Sequence, residues 1–170
     1  CKFTAYPYPS EVDMSDWESV KKLAIRLEHA GSVLADAGRG LSYHNHALEF
    51  VKIDGRPVLD HLFALTNPSV LQAEIDTYWV QVGGGNPAVW CRKLSGRLSI
   101  IHLKDCGVRE GNETAWMEIG EGNLDFPAIV QAAEEGGCQW YAVEQDSCPG
   151  DPFDSLRISF EYIRDYLIES

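Results

Sequence analysis

Four short apolar runs of strand type, at Leu41–His46, Val70–Asp76, Leu98–Leu103 and Trp140–Glu144, end on or beside a side chain able to ligate a cation or move a proton. Between them lie stretches whose apolar residues recur at helical spacing. Strand and helix alternating through short connections imply parallel strands and right-handed crossovers. An open doubly wound sheet and a closed barrel both satisfy that order. The polar residues favour the barrel. His44 and His46, Asp76, His102 and Glu144 fall at the C-terminal ends of successive strands, where a barrel builds its active site. No Gly-x-Gly-x-x-Gly follows a strand, which removes the main support for a dinucleotide fold.

Taken in order, Lys2-Phe3-Thr4-Ala5-Tyr6 reads as a strand stub that Pro7-Tyr8-Pro9 ends. Ser15 and Glu18 form a Ser-x-x-Glu capping box ahead of a stripe of Trp17, Val20, Leu23, Ala24, Leu27 and Leu34. Pro57 opens a second, shorter helix, and Asn86-Pro87 caps a third. A long loop is expected through Gly107, Gly111, Gly120 and Gly122. Asp125 caps the next helix, and Asp151-Pro152 opens the last, whose stripe is Leu156, Phe160, Ile163 and Leu167. With no linker or low-complexity segment, residues 1–170 are expected to form a single domain.

The formal net charge of -12 comes with scattered basic residues, which disfavours nucleic acid as a partner. The longest apolar runs are too short to span a bilayer, so no membrane partner is expected. Five cysteines without Cys-x-x-Cys spacing suit reduced thiols and a cytoplasmic setting.

Asp76, His102 and Glu144 offer an O, N, O donor set from three successive strands. Carboxylates suit Mg²⁺ and Mn²⁺, and an imidazole moves the preference toward Mn²⁺, Co²⁺ or Zn²⁺. A fourth ligand has to come from the first run, where Glu49 and His44 compete. Glu49 has the charge but lies beyond the strand; His44 has the depth. Glu49 is taken as the metal ligand, with His44 and His46 lining the pocket. Plainer roles stand beside these: Asp76 as a cap, His102 as a hydrogen-bonded buried ring, Glu144 as an ion-pair partner of Lys104 or Arg109.

The set Tyr43-His44-Asn45-His46-x-x-Glu49-Phe50, Glu74-Ile75-Asp76-x-x-Trp79, Ile101-His102-Leu103-Lys104-Asp105, Gly120-Glu121-Gly122-x-x-Asp125-Phe126 and Val143-Glu144-Gln145-Asp146 resembles the xylose isomerase-like TIM barrel superfamily, and within it the bacterial sugar phosphate isomerase/epimerase proteins. The resemblance implies an α/β, TIM-type (β/α) barrel of which this chain holds the last four strand-helix units and a stub of the strand before. It implies a Glu, Asp, His, Glu ligand set, which Asp76, His102 and Glu144 match directly; at the first position His44 stands near the expected place and Glu49 is displaced. Half a barrel alone leaves open edges, so either a longer parent sequence or pairing with another chain, a homo-oligomer included, is expected.

The activity implied is a divalent-metal-dependent sugar isomerase or epimerase acting through a metal-stabilised enediolate. Glu144 would move a proton on one face, with His46 or Glu49 on the other, and Lys104 would hold a substrate hydroxyl or carboxylate. The alternative is a metal-dependent lyase or dehydratase acting on a 3-keto-glycoside or an inosose. A non-catalytic sugar- or partner-binding barrel fragment is the reading from another class.

Overall fold

The computed structural model describes residues 1–168. Its elements are β1 (Phe3–Tyr6), α1 (Trp17–Asp36), β2 (Gly40–His44), a 3-10 turn (Leu48–Phe50), β3 (Lys52–Ile53), β4 (Arg56–Pro57), α2 (Val58–Ala64), β5 (Leu71–Asp76), α3 (Thr77–Val82), α4 (Pro87–Lys93), β6 (Leu98–Leu103), β7 (Asp105–Arg109), β8 (Glu113–Met117), α5 (Phe126–Glu135), β9 (Trp140–Val143) and α6 (Pro152–Tyr166).

Five strands form one all-parallel sheet in the order β1-β2-β5-β6-β9, so each new strand joins the side of the last. That sequential order is the order of a barrel wall, without the reversal that an open doubly wound sheet shows. Among the described residues the sheet does not close: β1 and β9 are its edges. Both faces of its centre are covered, as parallel sheets require. Along β5, Leu71, Ala73 and Ile75 point to one face and Glu74 and Asp76 to the other, and all five are buried. The outer layer supplies Leu23, Leu59, Leu62, Phe126 and Ile129 to the core.

Caps follow the sequence with one correction. Asn86, Asp125 and Asp151 each accept a backbone N–H from the first turn of their helices. At α1 the cap is Asp16 rather than Ser15: its carboxylate accepts from the N–H of Glu18 and Ser19, while the Ser15 hydroxyl turns back to Asp13. A carboxylate is the better acceptor beside the positive end of a helix.

Two antiparallel hairpins are new relative to the sequence reading. β3 and β4 are joined by Asp54-Gly55, and β7 and β8 by a turn containing Gly111-Asn112, with positive φ at both residues of each pair. Left-handed pairs of this kind match the twist of a hairpin. The β7-β8 hairpin replaces part of the expected glycine-rich loop; just beyond it lies Gly120, whose φ is +93° and where a Cβ would overlap the Tyr162 ring. Gly120→Ala is expected to cost roughly 2–4 kcal/mol, from backbone strain plus overpacking; urea unfolding of the two proteins measures it.

Arg97 is a buried anchor beneath the sheet. It donates to the carbonyls of Leu71 and Phe63 and to the Thr66 hydroxyl, tying the end of α2 to the start of β5. At the open side, Trp140, Phe153, Leu156 and Phe160 are exposed. Half of the stripe expected to bury the last helix therefore faces outward, while Ile163 and Leu167 pack against the core.

Candidate active site

Parallel register does most of the assembly. It sets His44 beside Glu74 and Asp76 beside His102, and alternation turns Glu74 and Asp76 to the same face of β5. Two imidazoles and two carboxylates therefore meet at the C-terminal ends of β2, β5 and β6. His102 Nε2 lies 3.0 Å and His44 Nδ1 3.6 Å from Glu74 Oε1. The remaining nitrogens, His102 Nδ1 and His44 Nε2, each lie 3.9 Å from Asp76 Oδ2. One ligand atom from each of His44, Asp76 and His102 lies within 4.8 Å of the others.

These residues fit a divalent cation. Asp76 Oδ2 and His102 Nδ1 are buried without a hydrogen-bond partner, and His44 Nε2 lies 3.9 Å from the same Asp76 oxygen; His44 Nδ1, also unpartnered, faces Glu74 instead. A buried polar atom left unpaired costs about 1–3 kcal/mol, so two at one point call for a ligand. Two imidazoles and a carboxylate suit Mn²⁺, Co²⁺ or Zn²⁺ better than Mg²⁺.

Asp76 also has the plainer task considered from sequence: its Oδ1 accepts the Trp79 N–H and caps α3. The two roles use different oxygens. Asn45, buried beside it, accepts the Asp76 N–H at 3.0 Å and holds the strand end in place.

Lys104 is almost wholly buried yet cationic. Its Nζ stands 3.6 Å from Asp76 Oδ2 and 2.5 Å from Glu144 Oε2, and also contacts Asp146. Its backbone is pinned to Thr77, whose hydroxyl both donates to the Lys104 carbonyl and accepts its N–H. Glu144 is thus gathered into the same place through Lys104, outside the His44-Asp76-His102 trio.

Burial and pairing compete throughout. Burial opposes ionisation of Glu74, but the hydrogen bond from His102 and the nearness of His44 outweigh it and hold the carboxyl at about 2. Burial likewise works against His102 and Lys104 in their charged forms; Glu74 raises the first above its ordinary value, and Asp76 with Asp146 and Glu144 raises the second. Asp76 is raised by burial against the pull of Lys104. His46 is driven down to about 4 by burial, and then by the charges of His44 and Lys104.

Glu49 departs from its expected place among the ligands. It is fully buried, and its carboxylate accepts the Tyr43 hydroxyl at 2.7 Å and the His46 N–H at 2.8 Å. The 3-10 turn carries Glu49 to the Tyr43 hydroxyl and the His46 N–H, outside the trio. Glu49→Ala strands two buried donors and is expected to cost about 3 kcal/mol of stability, read by chemical denaturation.

Four residues that border the site were given no chemical role from sequence: Glu74, Asp146, Pro7 and Trp79. Glu74 was legible, because a residue two before Asp76 on a strand shares its face. A cleft of about 250 Å³ opens over the cluster, lined by Pro7, His46, Trp79, Lys104, Glu144 and Asp146. His46 sits between Tyr8 and Trp79, at ring separations of 5.1 and 5.3 Å. A larger depression, between α5 and the end of α6, is lined by Val130, Glu134 and Leu167 and holds none of these groups.

A structure of a sugar phosphate isomerase/epimerase from Parabacteroides distasonis superposes over 98% of this chain and 58% of its own, with a TM-score of 0.84 and 23% identity. The fold is that of the xylose isomerase-like TIM barrels. A probable 3-DHS dehydratase from Bacillus anthracis shares this barrel with a TM-score of 0.71 over 89% of the chain and 59% of its own, at 13% identity. By sequence, an inosose dehydratase of Clostridium beijerinckii is 29% identical over 168 residues, 87% of this chain and 55% of the relative. The chain thus spans about half the length of the curated relatives it matches, such as this one and a second inosose dehydratase from Lactiplantibacillus plantarum (26% identical, 91% of the chain, 56% of the relative). No protein-family model matches it. Among the described residues no helix is long and apolar enough to cross a membrane.

Proposed function

We propose that the chain carries the catalytic face of a divalent-cation-dependent barrel enzyme that removes water from a polyhydroxylated ketone of the inosose type, within the cytoplasm. The observation that carries this reading is the buried trio of His44, Asp76 and His102, with unpaired ligand atoms, beneath a cleft walled by Lys104 and Glu144. The inosose dehydratase relatives favour the lyase form over isomerisation or epimerisation. The enzyme is proposed to act in a barrel completed by a further β/α segment or by a second chain at the open edges β1 and β9.

His44, Asp76 and His102 would hold the cation, which when bound supplies Lewis-acid stabilisation of charge developing on a ketone oxygen. Glu144 removes the proton from the carbon next to the ketone, its carboxylate fixed by Lys104 at 2.5 Å. Lys104 gives a proton to the hydroxyl as its C–O bond breaks, so that it departs as water, and regains a proton from Glu144 beside it. Trp79 and Pro7 offer apolar surface to the C–H face of the ring. His46, which lines the same cleft, would supply a proton to the other face of the ring in its protonated form.

A proton supplied by His46 would give a second reading, epimerisation, which shares the first proton removal and then returns a proton to the opposite face. Incubation with a keto-inositol and, separately, a ketohexose in D₂O, with and without Mn²⁺, separates the readings by product mass. Loss of one water supports the dehydratase. Solvent deuterium in a product otherwise unchanged supports the epimerase. No turnover by a cation-loaded protein whose edges are covered supports a binding role alone.

A further inference from the structure

The mechanism gives Glu74 no part, yet this one carboxylate contacts both imidazoles of the trio. Its Oε1 lies on the side of each ring away from Asp76: 3.0 Å from Nε2 of His102 and 3.6 Å from Nδ1 of His44. The opposite nitrogen of each ring stands 3.9 Å from Asp76 Oδ2. A neutral imidazole that donates an N–H from one nitrogen presents a lone pair at the other.

We propose that Glu74 is a positioning residue that selects the ligating nitrogen of both histidines. It accepts the Nε2–H of His102 and faces the Nδ1–H of His44, so that Nδ1 of His102 and Nε2 of His44 are left as cation ligands beside Asp76. The proposal deepens the cation-site reading above and rests on it.

Two observations support this role beyond the distances. Glu74 is 7% exposed, so its carboxylate is spent inside the protein. Glu74 and Asp76 sit two residues apart on one central strand, paired on both sides, so the backbone itself fixes the spacing between the clamp and the ligand. His102 Nδ1 and Asp76 Oδ2 remain buried without partners, as ligand atoms awaiting a cation would be.

The test uses ¹⁵N-labelled, metal-free protein, at a pH where both rings are neutral. Long-range ¹H–¹⁵N correlations are expected to show the Nε2–H tautomer for His102 and the Nδ1–H tautomer for His44. Calorimetric titration with Mn²⁺ alone is expected to show Glu74→Ala binding about 10- to 100-fold more weakly. Glu74→Gln, whose carbonyl still accepts the His102 N–H, is expected to recover most of that loss. An Nδ1–H tautomer for His102 in the natural protein overturns the proposal. So does an Ala variant that keeps both tautomers and binds Mn²⁺ within about threefold of the natural protein. If the Ala variant does not fold, the tautomers of the natural protein decide. If the natural protein binds no Mn²⁺, it is the cation-site reading that fails, and the tautomers still report whether Glu74 orients the rings.

Discussion

Asp76→Asn is expected to lower Mn²⁺ affinity by at least about 100-fold while leaving the melting temperature nearly unchanged. The two effects separate because Asp76 divides its work between its oxygens. Oδ1 caps α3 through the Trp79 N–H, and Oδ2 faces His44, His102 and Lys104 without a hydrogen-bond partner. Asn keeps an acceptor for the cap and is as good an N-cap as Asp. It loses the only full negative charge in the trio and offers the cation a weaker donor. Replacing groups that merely support a ligand already costs about 10- to 100-fold in metal affinity, so the loss of a ligand itself sets the lower bound. Asp76→Ala removes the cap as well, and about 1 kcal/mol of additional destabilisation is expected from it. Calorimetry for the affinity and thermal melts for the cap together check both parts.

Lys104→Met carries the second large effect, and its sign differs between binding and turnover. The ammonium lies 3.6 Å from the carboxylate that would hold the cation, so the two positive charges compete for Asp76. Removing it is expected to tighten Mn²⁺ binding by roughly 10-fold, a modest share of the Coulomb energy at that range. Turnover of a keto-inositol is expected to fall by about 100-fold or more, because Glu144 loses the group that holds it and the departing hydroxyl loses its donor. The variant also leaves Glu144 and Asp146 without their common partner, but both are partly exposed, so the cost is expected to stay at about 1 kcal/mol. A higher affinity with a lower rate marks Lys104 as part of the chemistry; a fall in both would mark it as structural alone.

The barrel wall was legible because its signal is redundant. Strands β2, β5, β6 and β9 each show an apolar run, a turn residue and a polar end, and any one of them alone is weak. That Asp76, His102 and His44 lie at neighbouring strand ends was legible for the same reason: strand ends are positions that the alternation defines to within a residue. Glu49 was misplaced because nothing in the sequence distinguishes a carboxylate that points into a cleft from one that satisfies a Tyr43 hydroxyl buried on the same turn. The β7-β8 hairpin was missed because its strands carry charged and small residues, such as Arg109 and Gly107, in place of an apolar run; its signal lies in the Gly111-Asn112 turn pair. Glu74 was read only as part of a motif, although its two-residue offset from Asp76 already put it on the same face of β5.

Anomalous diffraction from crystals soaked in Mn²⁺ tests the central claim most directly. The account expects one strong peak bounded by Asp76 Oδ2, His102 Nδ1 and His44 Nε2, with Glu74 still on the far side of both rings. A peak elsewhere, or His44, Asp76 and His102 left without an ion at a concentration that saturates binding in solution, would contradict it.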